Sequence, residues 1–340
     1  MIGRVTADDV ARKAGVSQST VSRVLNNYPF IKEATREKVL TAISELGFTR
    51  DEIARSLVEK KTRSIGLILG DISNPFFAES AGVIIEQAQK LKYDVVICNT
   101  NHNDENLEKS INTLIGKRVD GILVASVKRD DTKVQQLHDK GFPIVLYNSS
   151  IDDPMANFVV IDNIRGAKMA VEHLLELGHK KIAYIAGPFK YLTTYQRYIG
   201  YKEAISENGL TLEQDFVYNG DFSYQKIFEF TKELLTKKNR PTAFLAVSDQ
   251  MALAILDAAT SLNLKIPEDV SVIGFDDISL ASNQFIGLTT VSQHMEVMAS
   301  VALEKLVDLI DHESDAFDPV QIVLKPELKI RKTTAKNLDK

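Results

Sequence analysis

Between Val5 and Leu46 apolar residues recur at helical spacing in three short runs, with no strand pattern between them. Thr6 with Asp9 three positions on is a capping-box signature, and Val10 and Ala14 then give a first helix its apolar face. Gly15-Val16 ends that helix, and Ser17 caps a second whose inward positions are Val21, Val24 and Leu25. A third helix is predicted from about Lys32 to Leu46, with Val39, Ile43 and Leu46 on one side and a stop at Gly47. Asp51–Lys60 has helical character but little apolar content, as in a linker or a helix that needs a partner. From Ser64 the rhythm changes. Short β-rich runs at Ile65–Leu69, Asp94–Thr100, Gly121–Ala125, Ile144–Tyr147, Phe158–Asp162, Ile182–Ala186, Phe216–Tyr218, Ala243–Val247 and Val270–Phe275 alternate with amphipathic stretches. Ala167, Ala170, Val171, Leu174 and Leu175 illustrate the helical spacing between them. This alternation predicts parallel sheets covered by helices, and about nine strands suit two doubly wound lobes better than one sheet. Ligands of such folds sit beyond the carboxyl ends of the strands.

Composition narrows the picture. The 340 residues, 44% hydrophobic and 26% charged, suit two or three domains with sizeable cores. No run approaches about 18 apolar residues, so no membrane span or membrane partner is expected. Met1–Ala11 lacks a basic region followed by an apolar run, and Cys98 is the single cysteine, so a cytoplasmic protein without disulfides is expected. Residues 1–61 hold 11 Lys/Arg against 8 Asp/Glu, a net +3, whereas the whole chain carries −5. A mildly basic head on an acidic body suits a nucleic-acid-binding end whose body stays off the phosphates.

The second helix exposes Gln18, Ser19, Ser22 and Arg23 near its N-terminal half, a surface that fits a major groove. Arg23 suits guanine O6 and N7, and Gln18 suits adenine N6 and N7. Thr20, Ser22 and Asn26 are short donors better placed for phosphate oxygens, and the cap residues Thr6 and Ser17 join the candidate DNA-binding set.

The string from Asp9-Val10-Ala11 through Ala14-Gly15-Val16-Ser17 to Thr20-Val21-Ser22-Arg23-Val24-Leu25-Asn26 closely resembles the DNA-binding head of the LacI/GalR family of bacterial regulators. The likeness continues through Ala34–Val39 and over nearly the whole chain. It implies an all-α helix-turn-helix head (1–48), a hinge helix (49–62) and a periplasmic-binding-protein-like α/β domain (63–332) of two parallel-sheet lobes. The implied N-lobe covers about 63–161 and 293–324, the C-lobe about 162–292 and 325–332, and 333–340 is expected as a disordered tail. In the hinge the likeness places Leu57 as a wedge in the minor groove with Ala54 packed beside it, which kinks the duplex. Phe48-Thr49-Arg50-Asp51 departs from the family's aromatic-x-Pro-Asn at the start of that helix.

For the body, Phe76 and Phe77 of Asn74-Pro75-Phe76-Phe77 are expected one in an effector pocket and one in the core. Tyr195–Gly200 resembles the family's D-R-x-x-G-F segment, which implies Arg197 toward the ligand; with Asp276, Gln293 and Asn148 it forms a polar set for a polyhydroxylated ligand, with Phe222 at another strand end. Asp249 joins the candidates, although an N-cap role is its simpler reading. Two departures from sugar-responsive members are Asn148-Ser149 in place of Asp-Arg and Ser248 in place of Asn. No phosphate-binding glycine loop, nucleophile elbow or metal-ligand histidine spacing occurs, so catalytic residues, metal and cofactor are expected to be none. These absences disfavour an enzyme, and the expected lack of a secretory signal together with the 60-residue head disfavours a periplasmic solute-binding protein. The expectation is a homodimeric repressor of a palindromic double-stranded operator, controlled by a sugar-like small effector.

Overall fold

The computed structural model describes residues 5–48, 61–311 and 318–338, in two units, Met1–Thr62 and Arg63–Lys340. In the first, helices α1 (Ala7–Ala14), α2 (Gln18–Leu25) and α3 (Glu33–Leu46) enclose a core of Val10, Ala11, Val21, Val24, Val39 and Ala42. Leu25, Ile43 and Leu46, predicted inward, are only half-buried against it. So small a bundle has little interior, and β-branched and alanine side chains fill most of it. The capping box is formed: the Thr6 N–H donates to Asp9 Oδ2 at 2.9 Å and the Asp9 N–H to Thr6 Oγ1 at 3.3 Å. Removing the hydroxyl in Thr6→Ala is expected to cost the head about 1 kcal/mol, read as faster amide exchange along α1 in the intact chain.

The second unit contains two six-stranded sheets. The first is built from β1 (Ser64–Leu69), β2 (Asp94–Asn99), β3 (Gly121–Val124), β4 (Ile144–Tyr147), β5 (Phe158–Ile161) and β11 (Gln321–Leu324), ordered β11-β5-β4-β3-β1-β2 and parallel throughout. Its covering helices are α4 (Pro75–Lys90), α5 (Asp104–Gly116), α6 (Thr132–Asp139) and α11 (Met295–Asp311). The second contains β6 (Ile182–Ala186), β7 (Val217–Asn219), β8 (Ala243–Ala246), β9 (Ser271–Asp276), β10 (Thr289–Ser292) and β12 (Glu327–Lys329). Its order is β12-β10-β9-β8-β6-β7, with only β12 antiparallel. Helices α7 (Asn163–Glu176), α8 (Leu192–Glu207), α9 (Tyr224–Thr236) and α10 (Asp249–Ser261) belong to this lobe. The central strands are wholly buried, as in β3, β4, β6, β8 and β9, because helices cover both faces.

The chain passes between the sheets after β5, after β10 and after β11. These crossings set the carboxyl ends of both sheets across one cleft. Among the described residues no helix is long and apolar enough to cross a membrane.

Two expectations need correction or restriction. The tail expected as disordered is tied down from 333 to 337, while Leu338 is exposed. Thr333 is 3% exposed, its hydroxyl donates to Val272 O at 2.7 Å and accepts from the Thr289 N–H at 2.9 Å, and the Asn337 N–H donates to Leu177 O at 2.8 Å. This polar segment is ordered by hydrogen bonds to the second sheet and its loops, which leave no hydrophobic period to read. The hinge residues Ala54 and Leu57 lie outside the described residues.

Candidate functional site

In the first unit α2 begins at Ser17, whose Oγ accepts the Thr20 N–H at 3.2 Å and lies 2.8 and 2.9 Å from the hydroxyls of Ser19 and Thr20. Thr6 likewise spends its side chain on Asp9, so both cap residues serve helix starts. Gln18, Ser19, Ser22, Arg23 and Asn26 are exposed, and Thr20 is half-buried. Because Ser19, Ser22, Arg23 and Asn26 stand three, four and seven residues apart, they share one helix face. The sequence reading did not single out Tyr28, which the structure sets 5.9 Å below the Arg23 guanidinium. Arg36 fixes this loop, donating to Asn27 Oδ1 at 3.1 Å and Tyr28 O at 3.2 Å. The arrangement presents one cationic fork, two amides and several hydroxyls on a helix held by its partners.

In the second unit the interlobe cleft brings together six of the eight expected residues: Phe76, Phe77, Asn148, Arg197, Phe222 and Asp276. Phe76 and Phe77, at the N-terminus of α4 behind the Asn74 cap, both line the cleft and both belong to the buried core. Their rings meet edge-on at 5.6 Å. Asn148 follows β4 and Asp276 ends β9, at φ +47° and +135°. Such backbone is costly for residues with side chains and persists where the surroundings over-determine it.

Arg197, on α8, is 6% exposed, and its guanidinium is spread over three acceptors. Nε donates to Asn163 Oδ1 at 2.8 Å, Nη1 to Val247 O at 2.5 Å and Nη2 to Gln293 Oε1 at 3.1 Å, while the plane covers Phe275 at 3.7 Å. Burial lowers its pKa to about 10, opposed by the carboxylate of Asp276. Gln293 in turn donates to Asp276 Oδ1 at 2.5 Å. Burial, and then the charge of Asp249, raise the Asp276 pKa against the pull of Arg197. A fixed fork beside a carboxyl group whose ionisation burial opposes suits a ligand with both donors and acceptors.

The two remaining expected residues, Asp249 and Gln293, stand behind the cleft wall. Both are wholly buried. Asp249 accepts the Thr290 hydroxyl at 2.5 Å and the Ile278 N–H at 2.9 Å, and burial raises its pKa. It is not the N-cap of α10; that role falls to Ser248, whose Oγ accepts the Met251 N–H at 3.2 Å. The two residues hold Asp276 and Arg197 in place.

Several cleft residues were missed by sequence reasoning: His102, Ser126, Tyr191, Thr193, Thr194 and Gln250. They sit in loops, where polar residues give no period, although the rule that ligands lie beyond strand ends would have reached Ser126 after β3. The rims also touch. The Ser279 N–H and hydroxyl both donate to the carboxylate of Glu79 on α4, the hydroxyl at 2.6 Å, and the Arg129 N–H donates to Lys190 O at 3.1 Å. Away from the cleft, His138, Asp139 and Asp153 bring donor atoms within 4.8 Å of one another, and none of them lines it.

Comparison with known proteins covers both units. The family described as bacterial regulatory proteins, lacI family, matches residues 6–51, and the periplasmic binding protein-like domain matches 171–334. Catabolite control protein A of Priestia megaterium is 36% identical over 319 residues, covering 94% of this chain and 96% of its own. The HTH-type transcriptional repressor PurR of Haemophilus influenzae (strain PittEE) is 36% identical over 332 residues, with 96% and 98% covered. Among solved structures, the lac repressor dimer bound to operator and the anti-inducer ONPF matches with TM-score 0.86 at 28% identity, covering 98% of this chain and 100% of that one. The complex of the transcriptional regulator CelR with cellobiose matches with TM-score 0.72 at 32% identity, covering 97% and 100%.

Proposed function

Because the chain belongs to the LacI family of bacterial regulatory proteins and is a DNA-binding transcription regulator, we propose that it acts in the cytoplasm as a homodimeric repressor of a palindromic operator, released or engaged by a small polar effector of the sugar class. The observation that carries this reading is the convergence of Arg197, Asp276 and Asn148 with four aromatic side chains, those of Phe76, Phe77, Tyr191 and Phe222, at the carboxyl ends of two sheets. Aromatic faces cover the apolar side of a sugar ring while the charged fork and carboxyl meet its hydroxyls. The cellobiose complex of CelR supports the same class.

In the head, Gln18, Ser19 and Arg23 are proposed to read bases, with Thr20, Ser22 and Asn26 on the phosphates. A two-fold dimer then places two copies of α2 on the half-sites of an inverted repeat. Closure of the lobes on the effector alters the spacing of the hinges at 49–62, a coupling of about 1–3 kcal/mol between the two sites. Leu57, proposed as the minor-groove wedge, gives a test of this hinge. Leu57→Ala is expected to weaken specific operator binding far more than binding to random DNA, and equal losses in a filter-binding assay would sink the wedge.

The effector class is tested by thermal-shift screening of sugars, phosphosugars and nucleosides on the intact chain. A ligand present at about 100 times its dissociation constant adds about 2.7 kcal/mol to the domain that holds it. Stabilisation by a sugar or phosphosugar that is lost in Phe222→Ala supports the reading; stabilisation by nucleosides alone would replace the sugar class.

A further inference from the structure

His102 has no part in the reading above, yet its ring lines the cleft against residues of both lobes. It comes from the first lobe, on the loop after β2, where Asn101 and His102 both have positive φ, +50° and +55°. The ring lies against Phe222 of the second lobe with centroids 4.4 Å apart and planes tilted 33°. Tyr191, also of the second lobe, meets it edge-on at 5.8 Å, and Phe77 stands at 6.5 Å. Its Nδ1 is 2.9 Å from Ser126 Oγ, and that hydroxyl also hydrogen-bonds Tyr191. Two glycines make room for the stack. A Cβ on Gly70, at the end of β1, would lie 2.5 Å from His102 Cε1, and one on Gly187, after β6, would lie 2.2 Å from Phe222 Cε1. The backbone on each side is thus fitted to one partner of a ring pair that spans the lobes.

We propose that His102 is an acid-sensitive latch: neutral, it holds the two lobes closed through Phe222, Tyr191 and Ser126, and its protonation releases them. The inference rests on the two-lobed body alone and holds whichever effector binds. A cation on this half-buried ring, between three aromatic groups and a hydroxyl, keeps only part of the water that solvates it after opening. The surrounding charges do not compensate for that loss. Asp71, after β1, favours the imidazolium, whereas Lys190, beside Tyr191, opposes it. Lys190 is itself 3.6 Å from Asp104, which also pairs with Lys128 at 2.9 Å. On the remaining elements Glu79 of α4 is engaged by Ser279, Asp221 before Phe222 by Lys226, and Arg197 and Asp276 by the network around Gln293.

Burial accordingly lowers the His102 pKa to about 4 in the closed form, from 6.5 for a free imidazole. A base depressed in the closed state favours closure fully above the open-state pKa, and this preference is lost as pH falls from there toward 4. The closed-to-open ratio is then expected to fall about 20-fold between pH 7 and pH 5.

The test is a carbon-13 titration of labelled histidine in the full chain, with the His102 signal identified by its loss in His102→Gln. The expected midpoint lies below about 5.5 in the wild type and rises toward about 6.5 in Phe222→Ala, where the cleft side of the ring meets water. A wild-type midpoint at or above about 6.5, or no movement in Phe222→Ala, would overturn the latch. Small-angle scattering supplies the second arm at pH values where circular dichroism shows the fold intact. The radius of gyration should increase from pH 7 to pH 5 in the wild type and stay constant in His102→Phe, which keeps a ring in place but cannot take up a proton. Equal expansion of both proteins would likewise overturn it.

Discussion

Arg197→Met is expected to abolish the effector response and to destabilise the second unit by about 3–5 kcal/mol at pH 7, the largest effect of any single change in the cleft. Methionine preserves much of the volume and the contact with Phe275 but none of the donors. Three buried acceptors, Asn163 Oδ1, Val247 O and Gln293 Oε1, lose the N–H groups they now receive. Each unsatisfied buried acceptor costs about 1–3 kcal/mol, and sharing among Gln293, Asn163 and ordered water recovers part of the sum. Asp276 also loses the only cation among the influences on its charge, while Asp249 still repels it. Urea unfolding should therefore show a deficit that depends on pH. A carboxyl whose folded-state pKa is raised weakens the fold as pH rises through that pKa, so the deficit is largest where Asp276 is ionised and shrinks as falling pH returns its proton. Arg197→Lys should fall between the two proteins, since a point charge supports Asp276 but cannot fork to three acceptors. A variant as stable as the wild type that still responds to an effector would remove Arg197 from the centre of the site.

How much of this was legible in the sequence depended on whether local chemistry or distant packing decided each element. The capping box at Thr6 and Asp9 and the cap at Ser17 are local, and both stand where the residue types place them. The nine predicted strands are apolar runs bounded by turns, and all nine appear within a residue or two of their expected limits. The strands β10, β11 and β12 were not read. Thr289–Ser292 is rich in hydroxyls, and Gln321–Leu324 is an edge strand with every second residue exposed. β11 and β12 join their sheets only because the chain crosses from the other lobe, which no local pattern announces. The same distinction separates the cleft residues. Arg197 was found through the likeness of Tyr195–Gly200 to a family segment, and Asp276 because it follows a readable strand. His102 lies in Asn101-His102-Asn103-Asp104, a segment with every mark of a solvated loop, and only the turn over Gly70 carries it into the cleft. Asp249 was offered as an effector contact or a helix cap on residue type alone, and Ser248 before it takes the cap.

Arg23→Ala is expected to cost about 1–3 kcal/mol for each operator half-site and to relax selectivity at one base pair in each. Two half-sites in a dimer double the loss, so specific affinity should fall by roughly 30-fold to 10⁴-fold while binding to random DNA changes little. The reason lies in the division of labour on α2. Arg23 is exposed on the same face as Ser19 and carries the one bidentate cationic fork of that helix, whereas the hydroxyls of Ser17, Ser19 and Thr20 are already bonded to one another. Tyr28 at 5.9 Å limits the positions available to the guanidinium, so Tyr28→Ala should lose a smaller part of the same selectivity, at about 0.5–1 kcal/mol. Selection of operators from a randomised duplex library, followed by titration in increasing salt, separates base reading from charge. Loss of one preferred base with an unchanged salt slope identifies base contact. A uniform loss over all sequences, with the slope reduced by about one, would move Arg23 onto the phosphate backbone and leave Gln18 as the principal base-reading side chain of the helix.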